Sequence, residues 1–143
     1  MESTINSILE KYTKELINIY GEHLKIVILY GSYARGDNTI DSDIDIMILL
    51  DISDLELKEY RKELSYMTYD YNMDYDIDIK PIAKNKEHFE KWLEAYPFYA
   101  NVKREGVELY SLEWVWILIS WKRWYEYGTI NARGTGRRAK EYI

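Results

Sequence analysis

Residues 26–50 read IVILYGSYARGDNTIDSDIDIMILL, and this stretch decides the fold. An apolar run at residues 26–30 precedes Gly31, and a second apolar run follows Asp43. Short apolar runs rich in β-branched residues and bounded by Gly, Asn and Asp predict strands. Strands that are apolar at consecutive positions are covered on both faces. The stretch therefore predicts two buried strands of an α/β fold, joined by a connection that carries the polar, chemically active residues.

Two aspartates open the second strand. Asp43 and Asp45 share one face of it, because side chains alternate along a strand, and their Cα atoms are then roughly 6 to 7 Å apart. Carboxylates that close repel each other unless a cation lies between them. Ligands that are all oxygen favour Mg²⁺, which often shares its shell with substrate phosphates. A helix that begins after Gly31 would turn its N–H groups and the Ser32 hydroxyl toward such phosphates.

Other motifs fit this stretch less well. An EF-hand calcium loop starting at Asp41 would need Gly and Glu where Ile46 and Ile52 stand. A P-loop would need a Gly-Lys-Ser/Thr sequence, which does not follow the glycines. The remaining alternative is a solvated turn with acidic caps.

The pattern G-S-x-A-x-G followed closely by S-D-x-D resembles the nucleotidyltransferase superfamily that includes DNA polymerase β. Within that superfamily the chain is similar to the minimal nucleotidyltransferases, the antitoxin partners of HEPN-domain toxins. The resemblance covers residues 1–110, which we expect to form the nucleotidyltransferase domain. The fixed positions of the motif are all present, as Gly31, Ser32, Ala34, Gly36, Ser42, Asp43 and Asp45.

The resemblance implies a nucleotidyltransferase fold, of the α/β or α+β class, in which helices pack on a mixed β-sheet. It implies an enzyme that uses Mg²⁺, with two ions expected, to transfer AMP from ATP to a tyrosine hydroxyl of a HEPN toxin and so silence it. Asp43 and Asp45 would be catalytic metal ligands, and Gly31, Ser32 and Ser42 would bind the nucleotide. To these we add Arg35 as a phosphate contact, with Lys80 as a further basic candidate.

A third acidic position is expected near residues 74–82. Asp74, Asp76 and Asp78 alternate there, which predicts a strand with three aspartates on one face. Aspartate forms strands poorly, so this face is either a wet surface or a second side of the metal site. The resembled family has a third carboxylate on a strand beside S-D-x-D. Asp78 matches that position best as a catalytic metal ligand, with Asp76 close behind.

Composition bounds the class of protein. The 143 residues have no Cys, two His and a net charge of −6, so any metal is held by oxygen. Residues 1–110 have 13 basic and 22 acidic side chains, which argues against a broad nucleic-acid surface. The chain shows no secretion signal and no apolar run of ~18 residues, so we expect a cytoplasmic protein that does not enter the membrane.

Helices and one further strand complete the predicted domain. Apolar residues at helical spacing predict a helix over residues 4–20. Ser53 and Glu56 form a capping box that opens a second helix. Asn85 can cap a third helix, which we expect to continue to the proline at position 97. An alternating edge strand is predicted at residues 107–110.

Residues 111–143 depart from the family pattern and form an extension. Four of the five Trp residues lie between positions 112 and 127, in a segment that is apolar nearly all round if helical. Such a segment serves core packing, dimer formation or docking of a partner protein, and a homo-oligomer is one of these alternatives. The basic, Gly-rich residues that follow predict a flexible tail.

Two other functions remain open from the sequence. The chain could be an antitoxin that neutralises its partner by binding alone, without catalysis. It could also be a small-molecule nucleotidyltransferase acting on an aminoglycoside-like acceptor, which would need an acceptor pocket.

Overall fold

Four strands form one mixed sheet in the computed structural model, which describes residues 2–113 and residue 122. Backbone contacts divide the chain after Ser111, and only the first unit is treated below. The strands are β1 (Leu24–Tyr30), β2 (Ile44–Leu50), β3 (Ile79–Asn85) and β4 (Val107–Ser111). The helices are α1 (Glu2–Tyr20), α2 (Ser32–Arg35), α3 (Asp54–Tyr75), α4 (Lys86–Lys91) and α5 (Pro97–Glu105), with a 3₁₀ turn at Gly21–His23.

The strand order is β3-β2-β1-β4, so the two predicted central strands are central. β1 runs antiparallel to both β2 and β4, whereas β2 and β3 are parallel. The parallel pair is joined by α3, since parallel neighbours need a long crossover connection. The predicted mixed sheet and the predicted edge strand at its end are both confirmed.

Helices cover both faces of the sheet, which explains why β1 and β2 are apolar at consecutive positions. On one face, α1 and α3 pack on Ile44, Ile46 and Ile48 of β2. On the other face, α4 and α5 pack on Met47 and Leu49. Alternation therefore divides each strand between two apolar layers.

Sequence signals fix several helix ends. The Ser53 hydroxyl accepts a hydrogen bond from the Glu56 N–H, as the capping box predicts. The Asn85 side chain accepts one from the His88 N–H and so caps α4. This third helix is shorter than predicted, because it ends at Lys91, and turns lead to a new helix that begins at Pro97. Proline suits a first helical position but disfavours helix in the residue before it.

The strand predicted over residues 74–82 is wrong in its first half. Asp74 lies in the last turn of α3, and Asp76 ends that helix in the left-handed region (φ 51°, ψ 52°). Asp78 follows in the connection, and β3 begins only at Ile79. Aromatic contacts hold the last turns of α3 in place, since Tyr71 packs on the buried Tyr12. Tertiary packing thus overrides an alternating pattern that looks like a strand.

The aromatic run at residues 112–127 and the basic tail lie almost entirely outside the described residues, so the predictions made for them stay predictions. None of the helices that the structure describes is long and apolar enough to cross a bilayer.

Candidate active site

Gly31 forms the turn between β1 and the one-turn helix α2. Its backbone (φ 76°, ψ −155°) lies in a region that is essentially restricted to glycine. The Gly31 carbonyl accepts hydrogen bonds from the N–H groups of Ala34 and Arg35, each at 3.1 Å. The predicted helix start after Gly31 is therefore confirmed.

The Asp45 carboxyl group lies directly against Gly31. A Cβ atom added to Gly31 would overlap Asp45 Oδ2 and lie 3.3 Å from its Cγ. The register of the antiparallel pair explains this approach, because Asp45 is opposite Tyr30, the residue before Gly31. The missing side chain of Gly31 is thus the space that the Asp45 carboxylate uses.

The parallel pairing of β2 with β3 brings the third carboxylate to the first two. Asp45 is opposite Lys80 in the register, and the Ile44 N–H donates to the Asp78 carbonyl at 2.8 Å. Asp43 and Asp78 therefore lie side by side. The Lys80 ammonium group is 2.8 Å from Asp43 Oδ2 and 3.8 Å from Asp78 Oδ2.

These close charges shift the acidity of the carboxyl groups. The hydrogen bond from Lys80 lowers the pKa of Asp43. A hydrogen bond shared with Asp43 raises the pKa of Asp78. Burial, and then the negative charge of Asp43, raises the pKa of Asp45. All three directions reflect carboxylates crowded at one edge of the sheet, where a cation lowers their mutual repulsion.

This donor set fits Mg²⁺ in its chemistry, because carboxylate oxygens are the ligands that Mg²⁺ prefers. In the part of the chain that the structure describes, no three His, Cys, Asp or Glu side chains are close enough together to hold a metal ion. The cation that the described site does contain is the Lys80 ammonium group. Metal binding by Asp43, Asp45 and Asp78 therefore stays a prediction.

Asp76 and Asp78, which the sequence did not separate, have different surroundings. Asp78 is next to Asp43 and Lys80. Asp76 caps α3, and its backbone N–H donates to the carbonyl of Asn72. Of the two, Asp78 is the residue placed with the other site carboxylates.

The other predicted nucleotide contacts have protein partners in this structure. The Arg35 guanidinium forms ion pairs with Asp37 at 3.2 Å and Glu105 at 3.1 Å. The Ser42 hydroxyl accepts a hydrogen bond from the Thr39 N–H at 2.8 Å, which orders the loop before Asp43. Arg35 would have to leave at least one carboxylate to contact a phosphate.

Asn72 is a positioning residue that the sequence analysis missed. Its side-chain amide donates to the Ile79 carbonyl at 3.2 Å, and its oxygen accepts from the Ile79 N–H at 2.7 Å. Its own carbonyl accepts from the Ile77 N–H at 3.2 Å. Asn72 thus fastens both sides of Asp78 to α3. An asparagine near the end of a helix was the available signal, since its side chain readily bonds to backbone.

We expect Asn72→Ala to lower the free energy of unfolding by about 1 to 3 kcal/mol, because two partly buried hydrogen bonds are lost. It should also lower the rate of nucleotidyl transfer about tenfold, since Asp78 is no longer held. Urea unfolding and a transfer assay measure the two effects. Asn72→Asp, which keeps only the bond from the Ile79 N–H, should fall between alanine and wild type. Wild-type kinetics in Asn72→Ala would contradict the positioning role.

The described cavities leave little enclosed space at the carboxylates. One cavity of about 200 Å³ opens beside Asp78 and Ser42. This is below the roughly 300 to 1,000 Å³ of typical small-molecule sites. A groove of about 550 Å³ lies between α3 and β3, but Asp43, Asp45 and Asp78 do not line it. A nucleotide at the carboxylates would therefore lie largely on an open surface.

Comparison with known proteins places the chain in a family. Residues 9–104 match the family model described as "Nucleotidyltransferase domain". Two proteins of Methanocaldococcus jannaschii, each named "Putative protein adenylyltransferase", are also similar. One is 35% identical, covering 71% of this chain and 97% of the relative, and the other is 34% identical, covering 73% and 98%. The chain therefore belongs to the nucleotidyltransferase family and is an enzyme of that class, which confirms the resemblance that residues 31–45 carry.

Two solved structures of toxin–antitoxin complexes also align with the chain. One contains AMP-PNP, with 19% identity, a TM-score of 0.47, and coverage of 94% of this chain and 98% of that chain. The other is a tri-AMPylated Shewanella oneidensis HEPN toxin with its MNT antitoxin, with 17% identity, a TM-score of 0.43, and coverage of 96% and 99%. Both TM-scores are below 0.5, so these likenesses do not bear on function.

Proposed function

We propose that this nucleotidyltransferase transfers AMP from ATP, with Mg²⁺, to a tyrosine hydroxyl of a HEPN-domain toxin and thereby acts as its antitoxin. The observation that carries the proposal is the carboxylate group of Asp43, Asp45 and Asp78 beside the Gly31 turn. The relatives named as protein adenylyltransferases support a protein acceptor, since the match spans 97% and 98% of their lengths.

The open surface at the carboxylates also favours a protein acceptor. The cavity of about 200 Å³ beside Asp78 has room for a small group but not for an aminoglycoside. A partner protein brings its own surface and can cover the nucleotide, which excludes water from the reacting groups. A macromolecular acceptor therefore needs less from this chain than a free small molecule would.

The residues have distinct roles in this proposal. Asp43, Asp45 and Asp78 would hold Mg²⁺, and Gly31 and Ser32 would bind the β- and γ-phosphates through N–H and hydroxyl groups. Bound Mg²⁺ would neutralise phosphate charge and lower the pKa of the attacking hydroxyl. The tyrosine oxygen forms a bond to the α-phosphorus, and the bond from that phosphorus to the pyrophosphate oxygen breaks. Asp78, whose pKa is raised by Asp43, can accept the hydroxyl proton.

The test uses the purified protein, ATP labelled at the α-phosphate, Mg²⁺ and the HEPN-domain protein encoded beside it. We expect label on a tyrosine of the partner, and we expect Asp43→Asn to abolish it. Asp70→Asn, which removes an exposed aspartate on α3, is the matched control and should label normally.

Two outcomes would overturn the proposal. Toxin neutralisation that persists without label, in wild type and Asp43→Asn alike, would indicate an antitoxin that acts by binding alone. Label on an added aminoglycoside and none on the partner would indicate a small-molecule enzyme.

A further inference from the structure

Lys80 is the one lysine that the described structure places against the site carboxylates. It lies on β3 opposite Asp45, and its ammonium nitrogen is 2.8 Å from Asp43 Oδ2. The same nitrogen is 3.8 Å from Asp78 Oδ2. Three carboxylates and one ammonium group therefore share this corner of the sheet, and the ammonium group contacts two of the three.

We propose that Lys80 is a built-in counter-ion that competes with the divalent cation for Asp43 and Asp78, so that the metal is bound firmly only when the lysine is displaced. This inference rests on the proposed function, because it takes Asp43, Asp45 and Asp78 as the metal ligands. It goes beyond that function by naming the residue that sets the metal affinity of the site.

The competition follows from a shared oxygen. Mg²⁺ binds carboxylate oxygen at about 2.0 to 2.1 Å. Asp43 Oδ2 already accepts a hydrogen bond from Lys80. An ammonium group within hydrogen-bond reach of that oxygen would lie very close to a bound ion, and two positive charges at that distance repel. The metal therefore enters only if the lysine side chain moves away.

The lysine is able to move. Its side chain is 57% exposed, and an exposed ion pair of this kind contributes little to stability. A flexible four-carbon stem lets the ammonium group turn to another anion nearby. The phosphates of a bound nucleoside triphosphate would be such an anion. Metal and nucleotide would then assist each other, because the substrate takes up the charge that the metal releases.

Lys80→Met tests the inference, since it removes the charge and keeps most of the length. Binding of Mn²⁺ alone, without nucleotide, is followed through the electron paramagnetic resonance signal of the free ion. We expect Lys80→Met to bind Mn²⁺ at least about tenfold more tightly than wild type, because a repelling charge beside a divalent ion is gone. Lys86→Met is the matched control, since Lys86 pairs with Glu90 at 3.0 Å on α4. It should bind Mn²⁺ like wild type.

Thermal unfolding supplies a second readout. Ligands that bind only the folded state raise its stability in proportion to the logarithm of their concentration over the dissociation constant. Mg²⁺ should therefore raise the melting temperature of Lys80→Met more than that of wild type. Far-UV circular dichroism verifies that each variant is folded.

Equal or weaker Mn²⁺ binding by Lys80→Met would overturn the inference. If wild type still transfers AMP in that case, the proposed function stands and the counter-ion role alone fails. If neither wild type nor Lys80→Met binds Mn²⁺, the metal site fails, and the counter-ion role with it.

Discussion

Gly31→Ala is expected to lower the rate of AMP transfer by at least about 100-fold, because it moves a reacting group by an ångström or more. The added Cβ would overlap Asp45 Oδ2, so the carboxylate has to leave its place. The backbone of Gly31 is also in a region that other residues reach only with strain. That strain should cost about 1 to 3 kcal/mol of unfolding free energy.

Gly21→Ala separates these two effects. Gly21 also has a positive φ, of 58°, but a Cβ there would meet nothing within 4 Å. We expect this control to lose about 1 kcal/mol of stability and no transfer rate. Steady-state kinetics and urea unfolding of both variants make the comparison. Transfer by Gly31→Ala within twofold of wild type would show that the close approach of Asp45 to the turn is not needed.

Gly106→Ala is expected to have the largest effect on stability, a loss of about 2 to 3 kcal/mol. Gly106 has an ordinary backbone conformation (φ −68°), so strain in φ has no part in this prediction. Its added Cβ would instead overlap the Val102 carbonyl oxygen and Ile28 Cγ2. Both belong to packed elements, the end of α5 and the centre of β1, and neither can move aside without disturbing the apolar layer between them.

Urea unfolding with an unchanged m-value would measure this loss. Val107→Ala, at the next residue, is the control, because Val107 is 48% exposed and should change stability by less than about 0.5 kcal/mol. Well below its melting temperature, Gly106→Ala should still transfer AMP at nearly the wild-type rate. A stability equal to that of wild type would mean that α5 moves freely over β1.

The part of the site that is local in sequence was predictable. β1, the Gly31 turn and β2 are contiguous, and residue types alone indicate strand, glycine turn and strand. The alternation rule places Asp43 and Asp45 on one face. Their close approach to the turn then follows from an antiparallel hairpin, whose register is set over a short distance.

The part that depends on distant contacts was not predictable. The position of Lys80 opposite Asp45 is a register between strands that are separated by the whole of α3. The extension of α3 through Asp74 depends on Tyr71 packing against Tyr12, near the other end of the chain. A periodic pattern at residues 74–82 cannot report such contacts, because the same alternation occurs where a helix ends and a strand begins.

Asn72 gives this fold an unequal distribution of risk. The hairpin that carries Asp43 and Asp45 is part of the central sheet, so losing it would unfold the protein. Asp78 is attached to that body through one asparagine amide and a few main-chain hydrogen bonds. A single substitution there would leave a well-folded protein with a misplaced acid. Descendants of such a chain could give up chemistry in one evolutionary step and continue to serve as inert binders.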